Sequence, residues 1–133
     1  DTPVSGDLFA NLTDADSVDH TITGATVDTD GDGNPDTLVL GTPTAITDSS
    51  NNPIGDITVN ADGTYTFTPA PGYNGPVPTV GYDLVDDNDA TDTDSSVLDI
   101  TVTPVTDAIS DDNETVSTNE DTPVSGDLFA NLT

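Results

Sequence analysis

Residues 55–69 read GDITVNADGTYTFTP, and this stretch decides the fold. Ile57 and Val59 alternate with Asp56, Thr58 and Asn60, and Tyr65 and Phe67 alternate with Thr64, Thr66 and Thr68. Apolar residues at every second position mark a strand with one face buried and one face in water. Thr suits the outward positions, because branched side chains pack well on a pleated surface. Between the two runs stands Asp62-Gly63, a pair that turns one strand back onto its neighbour. The stretch predicts a β-hairpin.

The same pattern extends in both directions. Seven β-patterned runs cover residues 2–12, 20–27, 37–47, 55–60, 63–69, 77–85 and 96–106. Val80, Tyr82 and Leu84 alternate with polar or small neighbours, as do Leu98, Ile100 and Val102. Asn51-Asn52-Pro53 and Pro69-Ala70-Pro71-Gly72 mark longer turns. Tyr73 and Tyr82 read as core or corner packing. No segment has a helical period of useful length. Seven short strands with regular turns predict an all-β fold, an immunoglobulin-like antiparallel β-sandwich of about seven strands. If consecutive loops alternate between the two ends, loops 28–36 and 86–94 share one end. Loop 13–19 and the exit through residues 104–107 share the other.

Charge sets the second constraint. The 133 residues include 26 Asp and Glu, no Lys, no Arg and one His, for a formal net charge of -26. Nucleic-acid binding is excluded, because phosphate contacts need Lys or Arg. Direct contact with an anionic membrane is disfavoured for the same reason. No apolar run is long enough to span a bilayer, and no targeting segment is evident. There is no Cys to form a disulfide, and only His20 or the N-terminal amine can form an internal ion pair. Self-repulsion of this size opposes a compact state. Either the chain is disordered, or bound cations neutralise it. The acids cluster between the strand-patterned runs, which favours the cations.

Residues 1–13 read DTPVSGDLFANLT, and residues 121–133 read the same. The period of 120 residues implies a tandem array with a whole domain per repeat. The expected organisation is a sandwich over 1–108 whose first strand is open to truncation. A linker, or the start of the next repeat, follows over 109–120, and the duplicated opening over 121–133. The lack of Met reads as a piece of a longer chain. Residues 109–133 are expected to hang free, to pair along a sheet edge, or to be donated to a neighbouring molecule.

Three acidic groups are candidate cation sites. The first is Asp28, Asp30, Asp32, Asn34 and Asp36, with Gly31 and Gly33 interleaved. Hard oxygen ligands at alternate positions of a flexible loop suit Ca²⁺. The opening matches an EF-hand loop, but Val39 stands at the twelfth position instead of Glu, and no helices flank it. The second is Asp83, Asp86, Asp87, Asn88, Asp89, Asp92 and Asp94, carboxylates that repel unless an ion sits among them. The third is Asp14 and Asp16, placed by the loop count with Asp107 at a junction between domains. The alternative for each is a solvated acidic loop or a flexible linker. His20 reads as a strand-edge residue. No pair of carboxylates lies in a recognisable apolar cleft, and no catalytic constellation appears, so the expectation is a protein that is not an enzyme.

Three stretches carry a resemblance. They are Asn119-Glu120-Asp121-Thr122-Pro123-Val124-Ser125-Gly126, residues 63–75 (GTYTFTPAPGYNG) and residues 97–107 (VLDITVTPVTD). They resemble the tandem cadherin-like, or bacterial immunoglobulin-like, repeats of giant bacterial surface proteins, including the extender regions of repeats-in-toxin (RTX) adhesins. The resemblance implies a cadherin-like β-sandwich, extracellular at the bacterial cell surface, with neighbouring identical repeats of the same chain as partners. It implies Ca²⁺ at stiffened junctions, with Asp14, Asp16 and Asp107 at junction positions, and an adhesion ligand bound elsewhere in the full protein. The loop around residues 28–36 is longer than the family pattern. Low Ca²⁺ inside the cell would keep the chain loose for export, and binding at about 10⁻⁴ to 10⁻³ M would fold it outside. The competing function is a carbohydrate-, ice- or protein-binding module on the same fold. Paired outward threonines such as Thr21/Thr23 and Thr101/Thr103 are its only sequence signal.

Overall fold

A computed structural model describes residues 2–15, 19–106 and 110–129. Among these described residues, ten extended elements follow one another: β1 (Val4–Asp7), β2 (His20–Val27), β3 (Asp36–Thr37), β4 (Thr44–Thr47), β5 (Pro53–Val59), β6 (Thr64–Pro69), β7 (Gly75–Pro76), β8 (Val80–Asp86), β9 (Thr93–Leu98) and β10 (Thr101–Val102). They form two four-stranded sheets, ordered β1-β6-β5-β4 and β3-β2-β8-β9, plus the small pair β10-β7. Every pairing is antiparallel.

The predicted hairpin is present. β5 and β6 pair with Ile57 opposite Phe67 and Val59 opposite Tyr65. The connection is wider than the Asp-Gly pair alone: Asn60 N–H donates to Thr64 O at 2.8 Å, and Gly63 N–H to Asn60 O at 3.1 Å. Gly63 adopts φ 84°, and a Cβ there would lie 2.6 Å from the Phe9 ring. Both the turn and the seat of Phe9 therefore require glycine.

Inward residues of the two sheets form one core. Ile22, Val27, Ile46, Ile57, Val59, Phe67 and Val80 are fully buried, and Tyr65, Tyr73, Tyr82, Leu98, Ile100 and Val102 pack against it. In β2 the alternation breaks between Ile22 and Ala25, yet both are buried. The register shifts between Ile22 and Gly24, and this bulge returns Ala25 to the core face. Tyr73 closes a corner by donating its hydroxyl to Pro76 O at 2.5 Å.

The continuous run expected over 37–47 is two segments. β3 pairs with β2 in one sheet, and β4 pairs with β5 in the other. Between them Thr42 N–H donates to Val39 O at 3.1 Å, Gly41 N–H reaches Val59 O at 2.8 Å, and Gly41 has φ 76°. The chain reverses here once more than a seven-strand count allows. Every later loop therefore lands at the opposite end from the one expected.

Phe67 is the largest fully buried side chain. Phe67→Ala is expected to cost about 3–5 kcal/mol, because the cavity adds to the lost transfer energy. Urea unfolding of the two proteins side by side checks this.

Candidate functional site

The extra reversal determines which acids meet. β2 and β8 run antiparallel with His20 opposite Asp86 and Thr26 opposite Gly81. Asp86 therefore ends β8 beside the start of β2. The loop after β8 folds on itself: Asp86 N–H donates to Asp92 O at 3.0 Å, and Asp92 N–H to Asp89 O at 2.9 Å. Asp89 caps this turn by accepting from the Thr91 amide (2.9 Å) and hydroxyl (2.6 Å). Asp87 N–H donates to Asp19 O at 3.1 Å, and the Thr21 hydroxyl donates to Asp87 Oδ1 at 2.7 Å. These bonds hold the loop against the segment that leads into β2.

As a result, carboxylate oxygens of Asp14, Asp86 and Asp92 lie within 4.8 Å of one another. Asp86 is only 6% exposed. With His20, Leu84 and Asp94 the three acids line a depression of about 320 Å³. His20 Nε2 lies 3.0 Å from Asp14 Oδ2, and the His20 ring tilts against Phe9 at a centroid distance of 6.0 Å. His20 is indeed at the strand edge, but its side chain turns into the acidic site. A lone imidazole carried no sequence signal for that placement.

A second cluster occupies the opposite end. Oxygens of Asp28, Asp30 and Asp36 also lie within 4.8 Å of one another. Asp28 organises the loop: it accepts from Gly31 N–H at 2.7 Å, Gly33 N–H at 2.8 Å and Asp30 N–H at 3.3 Å. Asp36 accepts from the Thr29 amide at 3.0 Å and from the Thr29 hydroxyl. Burial within the loop is the largest single influence on Asp28 and raises its pKa. The amides of Gly33, Gly31, Asp30 and Asp32 together outweigh it and leave Asp28 below its ordinary value. The Thr29 hydroxyl and amide lower Asp36. Both acids are therefore ionised at neutral pH, as a cation site requires.

The remaining predicted ligands among the described residues stand outside the two triads. Asp32 and Asn34 are exposed in the same loop, with Asp32 Oδ1 accepting from Asn34 N–H at 2.7 Å. Asp83 stands on the outer face of β8 and accepts from the Ser95 hydroxyl at 2.6 Å. Asp87 and Asp89 accept the loop bonds above, and Asp94 borders the depression. Asp16 and Asp107 lie outside the described residues.

The loop count is corrected on two points. The loop after β8 shares an end with Asp14 and not with residues 28–36. The exit after β10 lies at the other end, because Thr103 and Val105 border Thr2, Val4 and Pro69 there. The reversal at residues 38–43 is the cause of both.

A two-layer antiparallel sandwich with an acidic cluster at each end defines a class, and sequence comparison places the chain within it. The profile of the cadherin-like domain family matches residues 1–103. The chain belongs to that family. No curated protein and no solved structure matches it. The two Asp triads are arranged so that each could hold a metal ion such as calcium.

The pKa shifts set a pH dependence. Asp28, Asp36, Asp48, Asp62 and Asp89 all sit below the ordinary 3.8. A lowered folded pKa contributes stability that is complete above the unfolded value and is lost as pH falls through the folded one. Carboxyl-carbon NMR titration is expected to give midpoints below 3.8 for these five. The hydrogen bond from the Thr29 hydroxyl to Asp36 should break over the Asp36 titration.

Proposed function

We propose that the chain is a structural extender repeat of a large secreted bacterial surface adhesin, tightened by calcium ions at its two acidic ends. The observation that carries this reading is Asp86. It is 94% buried, judged from its 6% exposure, beside Asp14 and Asp92. At an effective dielectric of about 20, two carboxylates 4.8 Å apart repel by about 3 kcal/mol. His20 is the only side chain in the sequence that can carry a positive charge, and it is bonded to Asp14. A divalent cation offsets the repulsion, and the three acids offer it the hard oxygen ligands that Ca²⁺ prefers.

The placement of the clusters supports a role at junctions. In a head-to-tail array, each domain would bring its Asp28 cluster and its exit toward the Asp14 cluster of the next. Its partners are then neighbouring repeats of the same chain, and the adhesion ligand is bound elsewhere in the full protein. Location outside the cell, where calcium is millimolar, fits sites of the affinity typical of extracellular modules. The role is mechanical and not catalytic.

Two measurements test this. Calorimetric titration of the 133-residue chain with Ca²⁺ is expected to resolve at least one site at each end. Asp86→Asn and Asp28→Asn should each weaken one site by about ten-fold or more and leave the other unchanged. Binding identical to the parent in both variants would remove the calcium reading. Small-angle scattering of a tandem array should show a maximum dimension that changes when calcium is chelated. An unchanged dimension would remove the stiffened stalk.

A further inference from the structure

The duplicated segment has two different structures in one molecule. In the first copy, Val4–Asp7 is β1, paired with β6 through Val4 opposite Phe67 and Asp7 opposite Thr64. Leu8 N–H donates to Gly63 O at 2.9 Å, and Ser5 Oγ meets Thr66 Oγ1 at 3.0 Å. Leu8, Phe9 and Leu12 pack against the core. In the second copy, residues 122–127 form no strand, and Val124, Leu128 and Phe129 are 50%, 72% and 71% exposed. One local feature is common to both. Phe9 N–H donates to Asp7 Oδ1 at 2.8 Å, and Phe129 N–H donates to Asp127 Oδ1 at 2.9 Å. The turn that aims the Phe ring forms without the groove.

We infer that residues 122–129 are a second occupant of the β1 groove, able to replace residues 2–9 within the same chain. Identity at all thirteen positions makes every contact of β1 available to the second copy in the same register. β1 is the outer strand of its sheet, so exchange opens a single ladder. The tether also has the right geometry. Thr103 and Val105, just past β10, line the same depression as Thr2 and Val4, where the first copy enters the groove. The second copy therefore starts from the correct end and runs in the correct direction. Residues 106–121 span up to about 3.3 Å each, far more than this short step requires. Closing residues 103–123 instead of residues 8–19 disfavours the second copy only by roughly two-fold.

The test uses the full chain. Gly6 lies two residues before Leu8, so its N–H points the same way, toward β6. A side chain at Gly6 would also meet the Tyr65 ring, its Cβ only 2.7 Å from the hydroxyl oxygen. Gly6→Pro therefore blocks the first copy, and Gly126→Pro blocks the second in the same manner. Each single variant is expected to melt within about 3 °C of the parent, and the double variant at least about 10 °C lower. In Gly6→Pro, the amides of residues 124–127 should gain protection from hydrogen exchange, and light scattering should show a monomer. The inference is overturned if Gly6→Pro is as unstable as the double variant, or if the double variant is as stable as the parent. It is also overturned if Gly6→Pro recovers only as a concentration-dependent dimer, since the occupant is then a second copy of the chain.

Discussion

Repulsion among 26 acidic side chains, with one imidazole to oppose it, is the constraint on which the rest of this structure depends. It explains where the acids stand. Among the described residues, the buried side chains are apolar apart from Asp86. Several carboxylates lie in turns, where they accept backbone N–H groups two to five residues away, as Asp28, Asp48 and Asp62 do. Those bonds replace the salt bridges that a chain without Lys or Arg cannot make. They fix loop shape, and they leave outer lone pairs directed toward solvent or an ion. Asp86 likewise accepts from Asn88 N–H at 2.8 Å, but it differs in being buried beside Asp14 and Asp92, with His20 the one side chain able to carry a positive charge there.

The position of the clusters follows from topology and not from loop composition. One reversal between β3 and β4 passes the chain from one sheet to the other. It also moves every later loop to the other end. The outcome is a domain with two distinct acidic poles, one built from two segments far apart in sequence and one from a single loop. A site drawn from two such segments reports on tertiary structure, since it exists only when β8 and the segment before β2 are docked. A single-loop site can form its ligand set locally. Metal binding at the first pole is therefore the more tightly coupled to folding.

Much of this was legible in the residues. The hairpin of β5 and β6 and the inward set Ile57, Val59, Phe67, Val80 and Leu84 follow from period-two alternation, and the structure has them, as it has β2 over the run at residues 20–27. The first half of β9 was not legible. Thr93 to Ser96 are all polar and exposed, so no periodicity marks them, and the strand exists because β8 offers a ladder and Asp83 a partner for Ser95. The break at Val39 to Thr42 was hidden because Leu38, Leu40 and Ile46 look like one apolar run. The loop at residues 28–36 was visible as a ligand pattern. Asp86 and Asp92 were visible as parts of one acidic loop, but Asp14 was not visible as their partner, because it is far away in sequence and meets them only through the strand register.

The central claim is that cations hold this acidic sandwich together. Its most direct measurement is thermal unfolding of the chain in excess Ca²⁺, in EDTA, and in EDTA with Mg²⁺ restored. The account predicts a melting temperature tens of degrees higher with Ca²⁺, a rise that Mg²⁺ does not reproduce, since binding to the folded state alone shifts stability by mass action. Equal melting in Ca²⁺ and EDTA would contradict it and leave the two acidic poles as solvated surface.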